Sequence, residues 1–447
     1  MRRPRKVLEA AYRSYEATLP IAPVDGGGPI DPGLVTFKDS RHSDDAHSWF
    51  HFKEGFSGRL LLALLRELEV PSGDIVRVLD PFAGVGTTLL SAQLARTNGW
   101  RLDAVGVERN PFLRFAAEAK LDWPSYDAER VRSLVRDVLC GGADAYMGAL
   151  PDYSTLRNPK AYHPLRLRCL LGYRDKIKRV ARDTPEEKLL LLGLAAALEG
   201  LSGMRKDGRA LRFVSRMHGQ TPREALRDRW NHMLRTLELM HSENAVVNPA
   251  RVVGGDARDL RAAGVGGSEE FDLIIYSPPY LNNIDYTEVY KIELWMLGIV
   301  ESQQEFRELS ESTLRSHPRA KLSDSQRLNL PTELPPVVRD VIAALPEDGR
   351  AWRSELFTAY AEDMLVALES QFLALKPGGR CVCVVGNSLH GGRAGNVPVA
   401  TDLMIVGAAQ SLGYLVNRIY VVRHLRRRDR ESSPFLRESI IVMEKPS

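Results

Sequence analysis

The chain has 447 residues, 44% hydrophobic and 26% charged, with 61 Lys or Arg against 57 Asp or Glu and a formal net charge of +4. This apolar fraction excludes wholesale disorder and a fibrous protein, and four cysteines in such a length cannot form a disulfide framework. The longest apolar run, Leu189–Leu198, is about half of a membrane span, so the expectation is a soluble, cytoplasmic protein.

Residues 1–45 are mixed and rich in Gly and Pro, and read as an N-terminal arm lying over the surface. Ser57 is placed to cap a helix running to Glu69, with Leu60, Leu61, Leu64 and Leu65 on one face. Pro71, Ser72 and Gly73 stop it. Ile75–Leu79 reads as a buried strand, Thr87–Arg96 as a helix, Leu102–Val107 as a strand, and a helix begins at Pro111. That alternation predicts a parallel sheet with right-handed crossovers.

The alternation then breaks. Residues 121–246 read as an almost wholly helical insertion, in which Thr221-Pro222-Arg223-Glu224 is a capping box opening a helix to Met240. Strands resume at Arg251–Gly254 and Phe271–Tyr276, followed by a helix from Tyr286 to Leu297. Residues 300–352 form a second, smaller, Pro-punctuated insertion. A long helix from Ser354 leads to Lys376-Pro377-Gly378-Gly379 and the strand Arg380–Val385, and Leu415–Val422 and Glu438–Met443 are the last strands. Residues 46–120 and 247–447 therefore read as one α/β domain carrying the insertions. Cys381 and Cys383 alternate on one strand and read as core, and no His/Cys cluster has zinc spacing.

The charge is local. Residues 151–250 hold 19 Lys or Arg against 11 Asp or Glu, a net of +8 against −4 elsewhere. Met204–Arg216 carries five basic residues and one acid, and a second cluster spans Arg423–Arg430. Two such clusters point to nucleic acid or another polyanion.

The first strand leads into Asp80-Pro81-Phe82-Ala83-Gly84-Val85-Gly86-Thr87-Thr88. Two glycines between strand and helix let backbone approach a ligand closely. The dinucleotide fingerprint is not met, because Leu89 stands where its third glycine would be. Asp80, four residues before Gly84, points to a cationic or hydroxyl-rich ligand rather than a pyrophosphate. Glu108 ends the second strand, 22 residues after Gly86, placed for ribose hydroxyls. Asp256 follows the third strand and could accept from an adenine amino group. After the fourth strand comes Ser277-Pro278-Pro279-Tyr280. Pro-Pro stiffens this loop and leaves its carbonyls free of helix; Ser277 offers a hydroxyl and Tyr280 a flat face.

These segments, with Lys376-Pro-Gly-Gly and Tyr286–Gly298, resemble the S-adenosylmethionine-dependent amino-methyltransferases of DNA over residues 45–120 and 250–445. The resemblance implies a Rossmann-like seven-stranded methyltransferase sheet, parallel with one reversed strand. It implies S-adenosylmethionine as cofactor, held by Phe52, Asp80, Phe82, Gly84, Gly86, Thr87, Glu108 and Asp256. Ser277, Pro278, Pro279 and Tyr280 would form the catalytic loop around a flipped base. In this family Ser at the first loop position goes mainly with N4 of cytosine, and Asp or Asn with N6 of adenine. No Pro-Cys pair exists for attack at cytosine C5. The helical insertion would recognise the target, with Arg205, Lys206, Arg209 and Arg212 meeting phosphates, and the Arg426, Arg427 and Arg428 loop facing the duplex. The implied partners are double-stranded DNA and a cognate restriction endonuclease or defence system, in a nucleoid-associated setting. The competing readings are adenine-N6 methylation, guanine-N2 methylation of a structured RNA, and a subunit that binds cofactor and DNA without catalysis.

Overall fold

The computed structural model describes residues 3–23, 30–38, 42–207, 210–214, 219–244, 246–267, 269–321, 334–343, 352–392, 395–425 and 433–447. Its strands in chain order are β1 (Ile21–Pro23), β2 (Ile75–Asp80), β3 (Arg101–Glu108), β4 (Met204–Asp207), β5 (Ala210–Phe213), β6 (Ala250–Gly254), β7 (Phe271–Tyr276), β8 (Leu375–Gly386), β9 (Ser388–Gly392), β10 (Gly395–Val399), β11 (Leu415–His424) and β12 (Arg437–Glu444). Eight of them form one sheet in the order β1-β11-β12-β8-β7-β2-β3-β6. β12 is antiparallel to both neighbours, and every other adjacent pair is parallel.

The sheet thus has the expected single reversed strand, but eight strands instead of seven. The addition is β1, whose Ile21, Ala22 and Pro23 pair with Ile419, Tyr420 and Val421 at the sheet edge. An edge is where a proline-ended strand is tolerated, because one side of its backbone needs no partner. It is preceded by the helix Arg3–Glu16, whose Leu8 and Tyr12 are buried. The segment read as a surface arm therefore extends the domain.

Apolar side chains cover both faces of the sheet, as parallel strands require. One core gathers Leu60, Leu64, Phe112, Trp123, Trp230 and Trp295. The other gathers Leu8, Tyr12, Tyr276, Tyr360 and Leu403. The helix Thr87–Leu94 starts at Gly86, which has φ +79°. It packs closely because β3 has Gly106 beneath it; a Cβ there would meet Leu89 at 2.6 Å and Ala83 at 2.7 Å.

The chain leaves β2 for β3 and β6 on one side and returns to β7 and β8 on the other. The carboxyl ends of β2, β3, β6 and β7 therefore flank a switch point, where open α/β sheets bind ligands.

The insertion is helical over Ala128–Leu139, Pro164–Val180, Glu186–Leu198 and Pro222–Glu243, the last opened by the expected Thr221/Glu224 capping box. It is not wholly helical: β4 and β5 form an antiparallel hairpin within its basic stretch. Here the two-residue alternation of buried Met204, exposed Arg205 and buried Lys206 prevails. The expected helix Tyr286–Leu297 divides at Tyr290 into Tyr286–Val289 and Lys291–Met296. Lys376–Gly379 lies inside β8 as a bulge, so that Phe271 pairs with Leu375 but Leu273 with Arg380. Among the described residues, no helix is long and apolar enough to cross a membrane.

Candidate functional site

At the end of β2 the Asp80 carboxylate turns beneath the glycine loop. It accepts from the Thr88 hydroxyl at 2.5 Å and the Phe82 amide at 3.0 Å. Burial pushes its pKa up to about 7, against these two hydrogen bonds. The loop is fastened from β3 as well: Glu108 Oε2 accepts from Gly84 N at 2.8 Å, and Oε1 from Asn110 N at 2.7 Å. Burial pushes Glu108 up to about 7, and the nearby Asp80 charge acts the same way. Each carboxylate oxygen has a second lone pair, so Glu108 can still accept from ligand hydroxyls.

A single cavity over the strand ends is lined by Phe52, Phe82, Gly84, Glu108, Asp256, Ser277, Pro278 and Pro279. Eight residues singled out in the sequence, from five separate segments, thus meet around one space. Asp80, Gly86, Thr87 and Tyr280 do not line it. Asp80 braces the loop from behind. Gly86 packs on Ala117, whose Cβ a side chain at 86 would approach to 3.0 Å. Thr87 is buried, its carbonyl beside His47 Nε2 at 3.3 Å. These three, expected among the cofactor contacts, stand behind the lining of the cavity.

Asp256 departs from expectation in another way. Its carboxylate takes Arg258 Nε at 3.0 Å, Arg258 Nη2 at 2.7 Å and Arg109 Nη1 at 3.1 Å. Burial raises its pKa, but the Arg258 guanidinium overcomes this and holds the carboxyl below its ordinary value. Arg258 in turn donates to buried Asp363 at 2.9 Å and to the Ser312 carbonyl at 3.0 Å. Asp256 is therefore already engaged with two arginines where it lines the cavity.

In the Ser277–Tyr280 loop, Ser277 Oγ donates to the Val384 carbonyl at 2.9 Å. That commits the only hydroxyl proton to β8 and leaves the oxygen lone pairs as acceptors. Tyr280 Oη stands 3.4 Å from Ser277 Oγ. The Tyr280 ring lies against Gly386, where a Cβ would come within 2.6 Å of it. One side of the Tyr280 ring is thus packed on the β8 backbone. Tyr286 supplies an aromatic wall instead, stacked on Phe52 with ring centroids 6.3 Å apart.

Several wall residues carried no signal in the reading of motifs. Asn110, a cap-forming residue directly before Pro111, accepts from Phe112 N and Leu113 N. Glu54 was visible two residues after Phe52. Thr313, Leu314, Ser316 and His317 come from the second insertion, where no periodicity pointed to a wall.

The basic hairpin separates its charges by face. Arg205 and Arg212 are exposed and directly opposed across the strands. Lys206 turns inward: it pairs with buried Glu293 and sits 4.2 Å from the Tyr290 ring centre. This corrects its expected place among the phosphate contacts. Arg209, Arg426, Arg427 and Arg428 lie outside the described residues. Among the described residues, no group of three or more His, Cys, Asp or Glu is placed to hold a metal ion.

No family model matches the chain. It is similar to the Type II methyltransferase M.BsoBI of Geobacillus stearothermophilus, 23% identical over 464 residues, covering 92% of this chain and 88% of that protein. It is 22% identical over 436 residues to the Type II methyltransferase M.AvaI of Nostoc sp. (strain PCC 7120 / SAG 25.82 / UTEX 2576), covering 87% and 83%. Among solved structures, TrmN from Thermus thermophilus aligns at 14% identity and TM-score 0.29, over 91% of this chain and 53% of that one. The rRNA methyltransferase aviRa from Streptomyces viridochromogenes aligns at 11% identity and TM-score 0.31, over 87% and 85%.

Proposed function

We propose that the chain is a DNA methyltransferase that moves a methyl group from S-adenosylmethionine to an exocyclic amino group, and that this group is N4 of cytosine. The observation that carries the reading is the hydrogen bond from Ser277 Oγ to the Val384 carbonyl. It leaves Ser277 an acceptor for an amino N–H, at the wall of the cavity that Gly84 and Glu108 also line. Similarity to Type II methyltransferases over most of the chain supports the same reaction class.

The cavity suits the cofactor. Gly84 exposes backbone beside Phe52, Glu108 can accept from hydroxyls, and the wall combines carboxylates with aromatic rings for a cation. When bound, S-adenosylmethionine supplies an activated methyl on a sulfonium. The protein's part is alignment and charge: Ser277 Oγ and the Pro278 carbonyl accept from the target amino group. That turns its lone pair out of conjugation and toward the methyl. The insertion, residues 121–246, holds DNA through the exposed Arg205 and Arg212, and a cognate restriction endonuclease is the partner activity.

The test is mass spectrometry of nucleosides from double-stranded DNA incubated with protein and cofactor. The expected product is 4-methylcytosine, lost in Ser277→Ala while S-adenosylmethionine still binds. 6-Methyladenine would overturn the cytosine assignment. Absence of any methylated nucleoside would overturn the activity.

A further inference from the structure

Four carboxylates line or brace the cavity, and three of them each accept two or more hydrogen bonds from the protein. Asp80 accepts from Thr88 and Phe82, Glu108 from Gly84 and Asn110, and Asp256 from Arg258 and Arg109. The fourth, Glu54, lines the cavity and receives one hydrogen bond, from the Tyr290 hydroxyl at 3.0 Å. Among the described residues it has no ion-pair partner. Its neighbour Lys53 pairs with Glu199 and donates to the Lys206 carbonyl. The nearby Lys206 ammonium is matched by Glu293.

A partly buried carboxylate without a cation is costly, and a ligand that brings one removes the cost. Burial pushes the Glu54 carboxyl above its ordinary value, with the Tyr290 hydrogen bond opposing this only in part.

Resting on the cofactor reading above, we propose that Glu54 accepts hydrogen bonds from the α-ammonium of the cofactor's amino-acid tail. The alternative cation, the sulfonium, has no N–H to donate, whereas an ammonium has three donors that need acceptors. The strand order favours the tail as well. Asp256 and Glu108 follow β6 and β3, and Gly84 and Ser277 follow β2 and β7. Phe52 lies against Gly84, after β2, and stacks on Tyr286 and Tyr290, after β7, so Glu54, bonded to Tyr290, stands on the β2 and β7 side of the cavity. A cofactor whose ribose hydroxyls met Glu108 would have its tail on that side, where Glu54 would hold the ammonium.

Glu54→Gln keeps the size of the side chain and an acceptor for Tyr290. Calorimetric titration of wild type and variant with S-adenosylmethionine, S-adenosylhomocysteine and 5′-methylthioadenosine separates the possibilities. The first two share the ammonium; the third lacks it and has no charge on sulfur. Expected is a loss of roughly 10- to 100-fold in affinity for the first two, with methylthioadenosine unchanged. Unchanged methylthioadenosine binding also shows that the variant is folded. Loss confined to S-adenosylmethionine would move Glu54 to the sulfonium and overturn the proposal. Equal loss for all three would make its role structural and overturn it likewise. Failure of wild type to bind S-adenosylmethionine would overturn the cofactor reading itself, and the proposal with it.

Discussion

Lys206, in the hairpin of the helical insertion, forms a buried ion pair with Glu293, in the helix Lys291–Met296 that follows the Ser277–Tyr280 loop. Both side chains are almost fully enclosed, and the Lys206 ammonium also lies over Tyr290, whose hydroxyl reaches Glu54 at the cavity wall. The insertion is thereby tied to the site through one inward lysine. Lys206→Met leaves the Glu293 charge buried and unpaired, and is expected to cost about 3–5 kcal/mol in stability by urea unfolding. The double variant Lys206→Met with Glu293→Leu should recover much of that loss. A single variant as stable as wild type would count against a buried pair.

Arg205 alternates with Lys206 and faces Arg212 across the hairpin. Two like charges directly opposed weaken a sheet pair and gain from a bound polyanion. Arg205→Glu with Arg212→Glu should leave the unfolding midpoint within about 0.5 kcal/mol of wild type. DNA affinity should fall, and the slope of log affinity against log salt should lessen by about 2. An unchanged slope would remove the hairpin from the DNA surface.

Asp80 is braced by two hydrogen bonds but no cation, and burial raises its pKa to about 7. The folded chain holds this proton more tightly than the unfolded one. Its contribution to stability is therefore complete below about pH 4 and vanishes as pH rises through about 7, a change on the order of 4 kcal/mol. Glu108 adds a fall in the same direction. Asp80→Asn keeps an acceptor for Phe82 and stays neutral, so its stability should fall less between about pH 5 and about pH 8 than that of wild type. Urea midpoints across that range decide the matter; parallel curves would mean that Asp80 is not protonated in the fold.

Asp363 holds the wall segment from the second insertion in place. It accepts from Arg258 at 2.9 Å, and from the Arg315 amide at 2.7 Å and its guanidinium at 3.0 and 2.8 Å. Asp363→Asn removes the charge between two arginines. Residues 312–317 should then exchange amide hydrogens faster, and cofactor affinity should fall roughly tenfold, near 1.4 kcal/mol. Unaltered exchange in that segment would show that the anchor lies elsewhere.

The eight-strand sheet was legible except at its edge. Alternation of apolar runs with helices marked β2, β3, β6, β7, β8, β11 and β12, because strands buried on both faces must be apolar. β1 was not legible, because three residues ending in Pro carry no period. The glycines, the acids at successive strand ends and Ser277-Pro-Pro-Tyr280 announced one ligand site, since backbone approach and charge at strand ends need particular residue types. Whether each acid points at the ligand or at the protein was decided by long-range partners. Arg258, Asp363 and Ser312 engage the Asp256 end, Val384 takes the Ser277 proton, and Gly386 receives the Tyr280 ring. Likewise, a run of basic residues set the charge of the hairpin, while only pairing across β4 and β5 turned Lys206 inward and Arg205 outward. Residue type sets what a side chain can bind; the partner that reaches it first in space decides what it does.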